Sequence, residues 1–341
     1  MLILLSSTSA ARYREDVLRC LTAPLASHLQ FRYRRSLISE ELLRRADLGQ
    51  LSGNGLVCFL DAGGAGDGPL RIVPVRSVEV KEARAHGTTI SVTLEMKDFA
   101  HAEAGTFVEE LGRVAKDTSP RRVGGEILGK YCFEVNEKFS SLRLSNTVEG
   151  WEKTVSYVRT EEAFQREPFF WAVLGIEKDG EKLSSETFSK WPNTPVSSGF
   201  SVLIYHYQDS GAPTPNSKLS LVVGEAIASM GPNELKVDSR YDLKRWRFEA
   251  RRVGYFPTET WLRFRVADTW DLDLSLQVGG SFWMNLAKSL VIGILIAIPS
   301  IAALAPQRDL GLAMKLLLGG MSLMAGVGAA LAVVFGIEKI G

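Results

Sequence analysis

The segment FRYRR (31–35) has the residue types and spacing to hold a negatively charged partner. In an extended chain successive side chains point to opposite faces, so Arg32 and Arg34 lie together and alternate with Phe31 and Tyr33. A guanidinium group is planar and can form two parallel hydrogen bonds to a phosphate or a carboxylate. Arg32 and Arg34 are therefore candidate contacts for a phosphorylated ligand or an acidic partner surface.

A second segment, DSRYDLKRWRF (238–248), offers the same chemistry and contributes Arg240 and Arg245 as candidates. Acidic residues lie within this segment, and arginines on a solvated strand often form only local ion pairs, which contribute little to stability. For both arginine-rich segments the sequence leaves two interpretations open, a binding surface or a solvated strand face.

The glycine-rich segment DAGGAGDGP (61–69) is the remaining pattern with possible chemistry. A phosphate-binding loop should open a helix whose N-terminus faces the anion. Here the segment precedes LRIVPVRSVEV, which is typical of a strand, so we predict a hairpin loop.

Signatures of catalysis and metal binding are absent from the sequence. It contains no Walker loop, no G-x-S-x-G, no H-E-x-x-H and no C-x-x-C. The histidines share no spacing typical of metal ligands; they are His28, His86, His101 and His206. The sequence therefore predicts a protein that is not an enzyme and has no cofactor or metal.

The elements that position these residues are mostly strands. TTISVTLEMK alternates apolar and polar residues, and the same period of two recurs in KYCFEV, KLSLVVG, RWRFEA and DLDLSLQV. FSVLIYHY is apolar on both faces, which is typical of a central strand. The helical period predicts four helices, over 11–22, 39–48, 104–116 and 149–164.

The polar stretch KDTSPRRVGG (116–125) is the predicted boundary between two folded units. The predicted fold class is α+β, mainly β with some α. We expect a small α+β domain over 1–117, a β-sandwich-like domain over 125–280, and a two-helix transmembrane hairpin over 281–341.

The hairpin is predicted from two uncharged stretches, of 19 residues at 289–307 and 22 residues at 316–337. About 20 apolar residues in a helix span the hydrocarbon core of a bilayer, so we expect spans at about 286–305 and 314–337. The alternative is a helical hairpin buried in a soluble core.

Small residues at every fourth position of both spans favour close helix packing in lipid, hence a homo-oligomer, and a proline in the first span predicts a kink. The predicted packing residues are Ser289, Gly293, Ala297, Pro299, Ser322, Gly326 and Ala330.

The expected location is a membrane, with the folded units and both ends of the hairpin on the cytosolic side. The apolar run at 2–5 is short and no basic residue precedes it, unlike a secretory signal. Three widely spaced cysteines predict reduced thiols. A formal net charge of +1 argues against direct binding to nucleic acid.

The layout of a soluble module followed by a short transmembrane hairpin at 281–341 resembles the membrane effectors of bacterial antiphage and abortive-infection systems. The resemblance implies that the soluble part receives an activating protein or a nucleotide signal, and that oligomerised helices then perturb the lipid bilayer. The resemblance does not identify any ligand-binding residue in this sequence. The first expected function is therefore a regulated inner-membrane effector. The alternative is a static membrane anchor or scaffold whose β domains dock a cytosolic partner complex.

Overall fold

The computed structural model describes ten segments of the 341-residue chain. They are residues 1–7, 11–47, 49–61, 70–123, 126–178, 199–208, 218–237, 239–250, 258–266 and 270–278. The glycine-rich segment at 62–69 and the predicted hairpin at 281–341 lie outside the described residues, and so do all seven predicted packing residues.

A seven-stranded mixed sheet forms the first unit, in the order β2-β5-β4-β3-β1-β8, and β9 also pairs with β5. The strands are β1 (Leu2–Ser7), β2 (His28–Arg34), β3 (Gly53–Asp61), β4 (Arg71–His86), β5 (Thr89–His101), β8 (Cys132–Glu134) and β9 (Arg143–Ser145). β1 runs parallel to β3, and the other pairs are antiparallel. A small separate ribbon pairs β6 (Arg121–Val123) with β7 (Glu126–Leu128).

Four α-helices of the described segments belong to this unit: α1 (Ala11–Thr22), α2 (Glu40–Asp47), α3 (Ala104–Val114) and α4 (Val148–Val158). One face of the sheet packs against α1, α2 and α4, and the opposite face packs against α3. Burial on both faces explains why six consecutive residues of β3 are apolar and buried. The positions of these four helices confirm the prediction made from the helical period of the sequence.

Two four-stranded antiparallel sheets form the second unit. The first has the order β10-β11-β15-β13 and the second β14-β12-β16-β17. Their bounds are β10 (Phe170–Lys178), β11 (Phe200–Tyr207), β12 (Lys218–Val223), β13 (Ile227–Ser229), β14 (Glu234–Lys236), β15 (Tyr241–Ala250), β16 (Thr258–Val266) and β17 (Trp270–Val278).

Aromatic residues of the two sheets meet in the centre of this unit. The Trp171 ring lies 5.6 Å from that of Trp270 and 5.4 Å from that of Phe264, and Trp246 lies 6.0 Å from Phe264. Facing sheets with an aromatic core fit the predicted β-sandwich.

The two units share one continuous core. The Trp151 ring of α4 packs edge-on against Tyr205 of β11 at 5.5 Å, and its indole N–H donates to the carbonyl of Leu21 at 2.8 Å. Short 3₁₀ turns lie at Arg35–Leu37 and Glu162–Phe164, the second of which connects α4 to β10. Strands β8 and β9 and helix α4 follow the predicted boundary at 116–125, yet they pack on the first sheet.

The predicted fold class is wrong in its third component. The described residues include no helix long and apolar enough to cross a membrane. The longest, α1, has 12 residues and is therefore about 18 Å long, against about 30 Å of hydrocarbon. The fold that the structure shows is a mainly β α+β fold, and the described residues contain no counterpart of the predicted hairpin.

Candidate functional site: the open edge of β2

β2 ends the seven-stranded sheet. Within the described part of the chain it pairs with β5 alone, from His28 opposite Glu95 to Arg34 opposite Thr89. Its other edge therefore presents backbone N–H and C=O groups that no described strand covers.

The hydrogen-bond ladder identifies the residues that face this edge. The Met96 N–H donates to the Ser27 carbonyl at 2.9 Å, and the Arg35 N–H donates to the Thr88 carbonyl at 3.0 Å. Antiparallel strands bond through every second residue, so the odd-numbered residues of β2 bond to β5. The even-numbered residues direct their backbone groups to the open edge; they are His28, Gln30, Arg32 and Arg34.

The side chains of β2 alternate between core and solvent. Phe31 and Tyr33 are 2% and 4% exposed and belong to the main core, whereas Arg32 and Arg34 are exposed. The pattern FRYRR thus places both predicted arginines on one face, because an apolar residue on either side of Arg32 fixes the register of the strand against the core.

No carboxylate lies opposite these two arginines on the neighbouring strand. Arg32 faces Ser91 and Arg34 faces Thr89 across the β2–β5 pair. Other charges on this surface are already paired, as in the contacts of Lys81 and Lys97 with Glu95. The two guanidinium groups are therefore the cations of β2 that are positioned to meet an incoming acid.

A groove of about 520 Å³ runs between the first part of β2 and the first part of β17. Its lining includes Leu29 and Gln30 on one side, Asp271 and Asp273 on the other, and Arg19 of α1. The Arg19 Nε donates to the Asp271 carbonyl at 2.9 Å, which holds α1 against the edge of β17. No local sequence pattern predicts this groove, since it forms between elements far apart in the chain.

Helix α1 places charged side chains beside the groove. Burial raises the pKa of Asp16 to about 6, and the adjacent Arg19 opposes this shift. The Arg19 guanidinium also contacts Asp16 at 3.2 Å and Glu15 at 3.3 Å. Arg19 is therefore engaged within the protein and, unlike Arg32 and Arg34, has few donors left for a partner.

The second pair of candidates lies on another sheet. Arg245 of β15 forms an ion pair with Glu177 of β10, with 2.8 Å between Nε and Oε2. Arg240 is exposed just before β15, and its backbone carbonyl accepts the N–H of Gln208 at 2.7 Å. The structure does not bring these arginines together with Arg32 and Arg34, and Arg245 is occupied by its local ion pair.

Other groups with possible chemistry are not assembled into a centre. Among the described residues, no three His, Cys, Asp or Glu side chains are placed to hold a metal ion. All three cysteines are free and buried, and burial raises the pKa of the Cys20, Cys58 and Cys132 thiols.

Comparison with known proteins does not identify a family for this chain. No family model matches the chain, and no curated protein matches it. Among solved structures, the crystal structure of a FixG-related protein from Vibrio parahaemolyticus aligns with 33% of this chain and 95% of its own, at 9% identity and a TM-score of 0.21. A similarity of this size establishes neither a shared fold nor a shared function.

Proposed function

We propose that this chain is a non-catalytic binding module that docks an extended, acidic segment of a partner protein on the open edge of β2. The observation that carries the proposal is the row of outward-facing backbone groups at His28, Gln30, Arg32 and Arg34. The two arginines of this row have no acidic residue opposite them on β5. This function keeps the partner-docking part of the alternative that the sequence suggested.

The backbone of β2 supplies the affinity in this proposal. An extended peptide that adds to a sheet edge forms main-chain hydrogen bonds at every second residue, whatever its side chains are. The buried odd-numbered residues anchor β2 in the core, so the edge is held in strand geometry before a partner arrives. Such preorganisation lowers the entropic cost of binding.

Arg32 and Arg34 supply the specificity. Residues directly opposite each other on paired strands lie on one face, and opposite charges there contribute roughly 0.2–1 kcal/mol per pair. A docked strand therefore gains most from acidic residues at alternate positions, two of which would face Arg32 and Arg34.

The regulated membrane effector is not proposed. It depended on membrane-spanning helices at 281–341, and the described helices include none. The inner-membrane location, the homo-oligomer and the activating signal stay predictions, because no described residue bears on them.

A synthetic peptide that alternates Asp and Val over about eight residues, the usual upper range of strand lengths, provides a direct test. We expect the full chain to bind it in isothermal titration calorimetry, with weaker binding at high salt. Two control peptides should fail: one with Lys in place of Asp, and one with N-methyl groups on the amides that bond to the edge.

Variants of β2 distinguish the contribution of its backbone hydrogen bonds to peptide binding from that of its charges. Gln30→Pro removes one outward N–H and leaves the bonds to β5 intact, as proline is tolerated on edge strands, so it should weaken binding with little change in melting temperature. Arg32→Glu with Arg34→Glu should abolish binding. Arg113→Glu, on an exposed site of α3, is the matched control and should bind like the wild type. Equal binding by all variants would overturn the proposal.

A further inference from the structure

A cavity of about 230 Å³ lies where the segment after α4 enters the β-sandwich. Aromatic and polar side chains together line it. The lining includes Phe164, Phe169, Phe170, Tyr207, Arg159 and Gln208. This volume lies just below the usual range of drug-sized ligand pockets, about 300–1,000 Å³, so it suits a single small ring system. The cavity is separate from the edge of β2.

Gln208, which ends β11, is the unusual residue of this lining. It is 1% exposed, and neither Nε2 nor Oε1 of its side-chain amide has a hydrogen-bond partner. Its backbone N–H is satisfied by the Arg240 carbonyl at 2.7 Å. A buried amide without a partner destabilises the folded protein, and natural proteins rarely keep such a group without a reason.

The charged groups around the cavity already have partners inside the protein. Arg159 Nη1 donates to the Tyr207 hydroxyl at 3.1 Å. The Glu167 carboxylate, 5% exposed, lies 3.4 Å from the Arg14 guanidinium. Burial raises the pKa of Glu167, and Arg14 opposes that shift. A charged ligand would compete with these pairs, whereas a neutral ligand leaves them in place.

We propose that this cavity binds a neutral, planar ring with a cyclic-amide edge. A side-chain carboxamide presents an N–H donor beside a C=O acceptor. A ring that carries C=O beside N–H matches this pair with two parallel hydrogen bonds, which would satisfy both free atoms of Gln208. The aromatic side chains of the lining then pack against the ring and add to the affinity beyond simple burial.

Uracil is the probe, because its N3–H and C4=O form such an edge. Isothermal titration calorimetry on the full chain should detect uracil binding. 1,3-Dimethyluracil has the same ring but no N–H, and it should bind at least about tenfold more weakly, since it leaves the buried Gln208 acceptor unsatisfied. Uridine and its 5′-monophosphate keep the N3–H and C4=O edge. If they bind, the natural ligand is a nucleoside or nucleotide; if they are excluded, it is a free base.

Two variants make the proposal falsifiable in the protein. Gln208→Leu removes the unpartnered amide at similar volume, so it should abolish uracil binding and raise the melting temperature of the free protein. Gln165→Leu is the matched control, since Gln165 lies on the same cavity but is exposed, and it should change uracil affinity less than twofold.

Absence of uracil binding by the wild type would overturn the proposal. Equal affinity for uracil and 1,3-dimethyluracil, or undiminished binding by Gln208→Leu, would do the same. A lower melting temperature of Gln208→Leu would show that the amide serves the fold instead of a ligand. None of these results depends on whether a peptide docks on β2.

Discussion

At the scale of single residues, the carboxyl group of Glu161 stands out in the turn that connects the two units. Its side chain is 1% exposed, one oxygen lies 2.7 Å from the Arg71 guanidinium, and the other has no hydrogen-bond partner. Burial raises its pKa to about 7, with Arg71 opposing the shift and Asp61 adding to it. The charged form of Glu161 is therefore disfavoured in the folded protein.

This shift predicts a pH-dependent stability. Between the ordinary pKa of 4.5 and the raised value of about 7, the folded state binds more protons at Glu161 than the unfolded state, so stability falls as the pH rises. Glu161→Gln should match the wild type near pH 5 and have a higher melting temperature at pH 8. Circular dichroism during thermal unfolding measures this.

Glu162→Gln, at the exposed neighbour, is the control and should shift the melting temperature equally at both pH values. A Glu161→Gln variant that is less stable than the wild type at pH 8 would show instead that the ionised pair with Arg71 stabilises the turn.

At the scale of elements, Arg76 joins helix α1 to the first sheet. It is fully buried on β4, and its guanidinium donates to the carbonyls of Lys97 at 2.7 Å, Cys20 at 3.0 Å and Ala23 at 2.9 Å. The same group lies 3.8 Å from the centre of the Phe99 ring. Carbonyls at the C-terminal end of a helix carry partial negative charge, so those of Cys20 and Ala23 stabilise this buried cation.

Arg76→Met should therefore destabilise the fold by about 2–4 kcal/mol, because it leaves three carbonyls without a donor at a buried site. Urea unfolding measures the free energy. Arg84→Met, at an exposed position of the same strand, should change it by less than about 0.5 kcal/mol. A cost for Arg76→Met as small as that of the control would mean that packing alone holds α1 in place.

The elements themselves were largely predictable from the sequence. Helix α1 (Ala11–Thr22) and strand β11 (Phe200–Tyr207) have the predicted bounds, because their apolar residues repeat over several turns or pleats. Strand β8 lies within KYCFEV, where the period of two predicts a strand, but the three-residue strand β9 shows no period of its own. The pairing of both strands with the first sheet depends on contacts distant in sequence.

At the scale of the whole molecule, the site was only half predictable. FRYRR indicated that Arg32 and Arg34 share a face, but nothing local indicates that β2 ends its sheet. That property comes from the order of strands, which is set by pairing across the chain. Gln208 had no signal either, since a glutamine at the end of a strand is ordinary, and its burial beside a cavity depends on contacts distant in sequence. The predicted transmembrane hairpin is not supported, since the described residues include no helix long and apolar enough to cross a membrane.

Amide hydrogen exchange along β2 tests the central claim most directly. In the free protein the N–H groups of Phe31 and Tyr33 should be protected by their bonds to β5, while those of Gln30, Arg32 and Arg34 should exchange fast. Addition of the Asp–Val peptide should slow exchange at these three even-numbered positions and leave the odd-numbered ones unchanged. Strong protection of the three in the free protein, or no change when the peptide is added, would contradict the account.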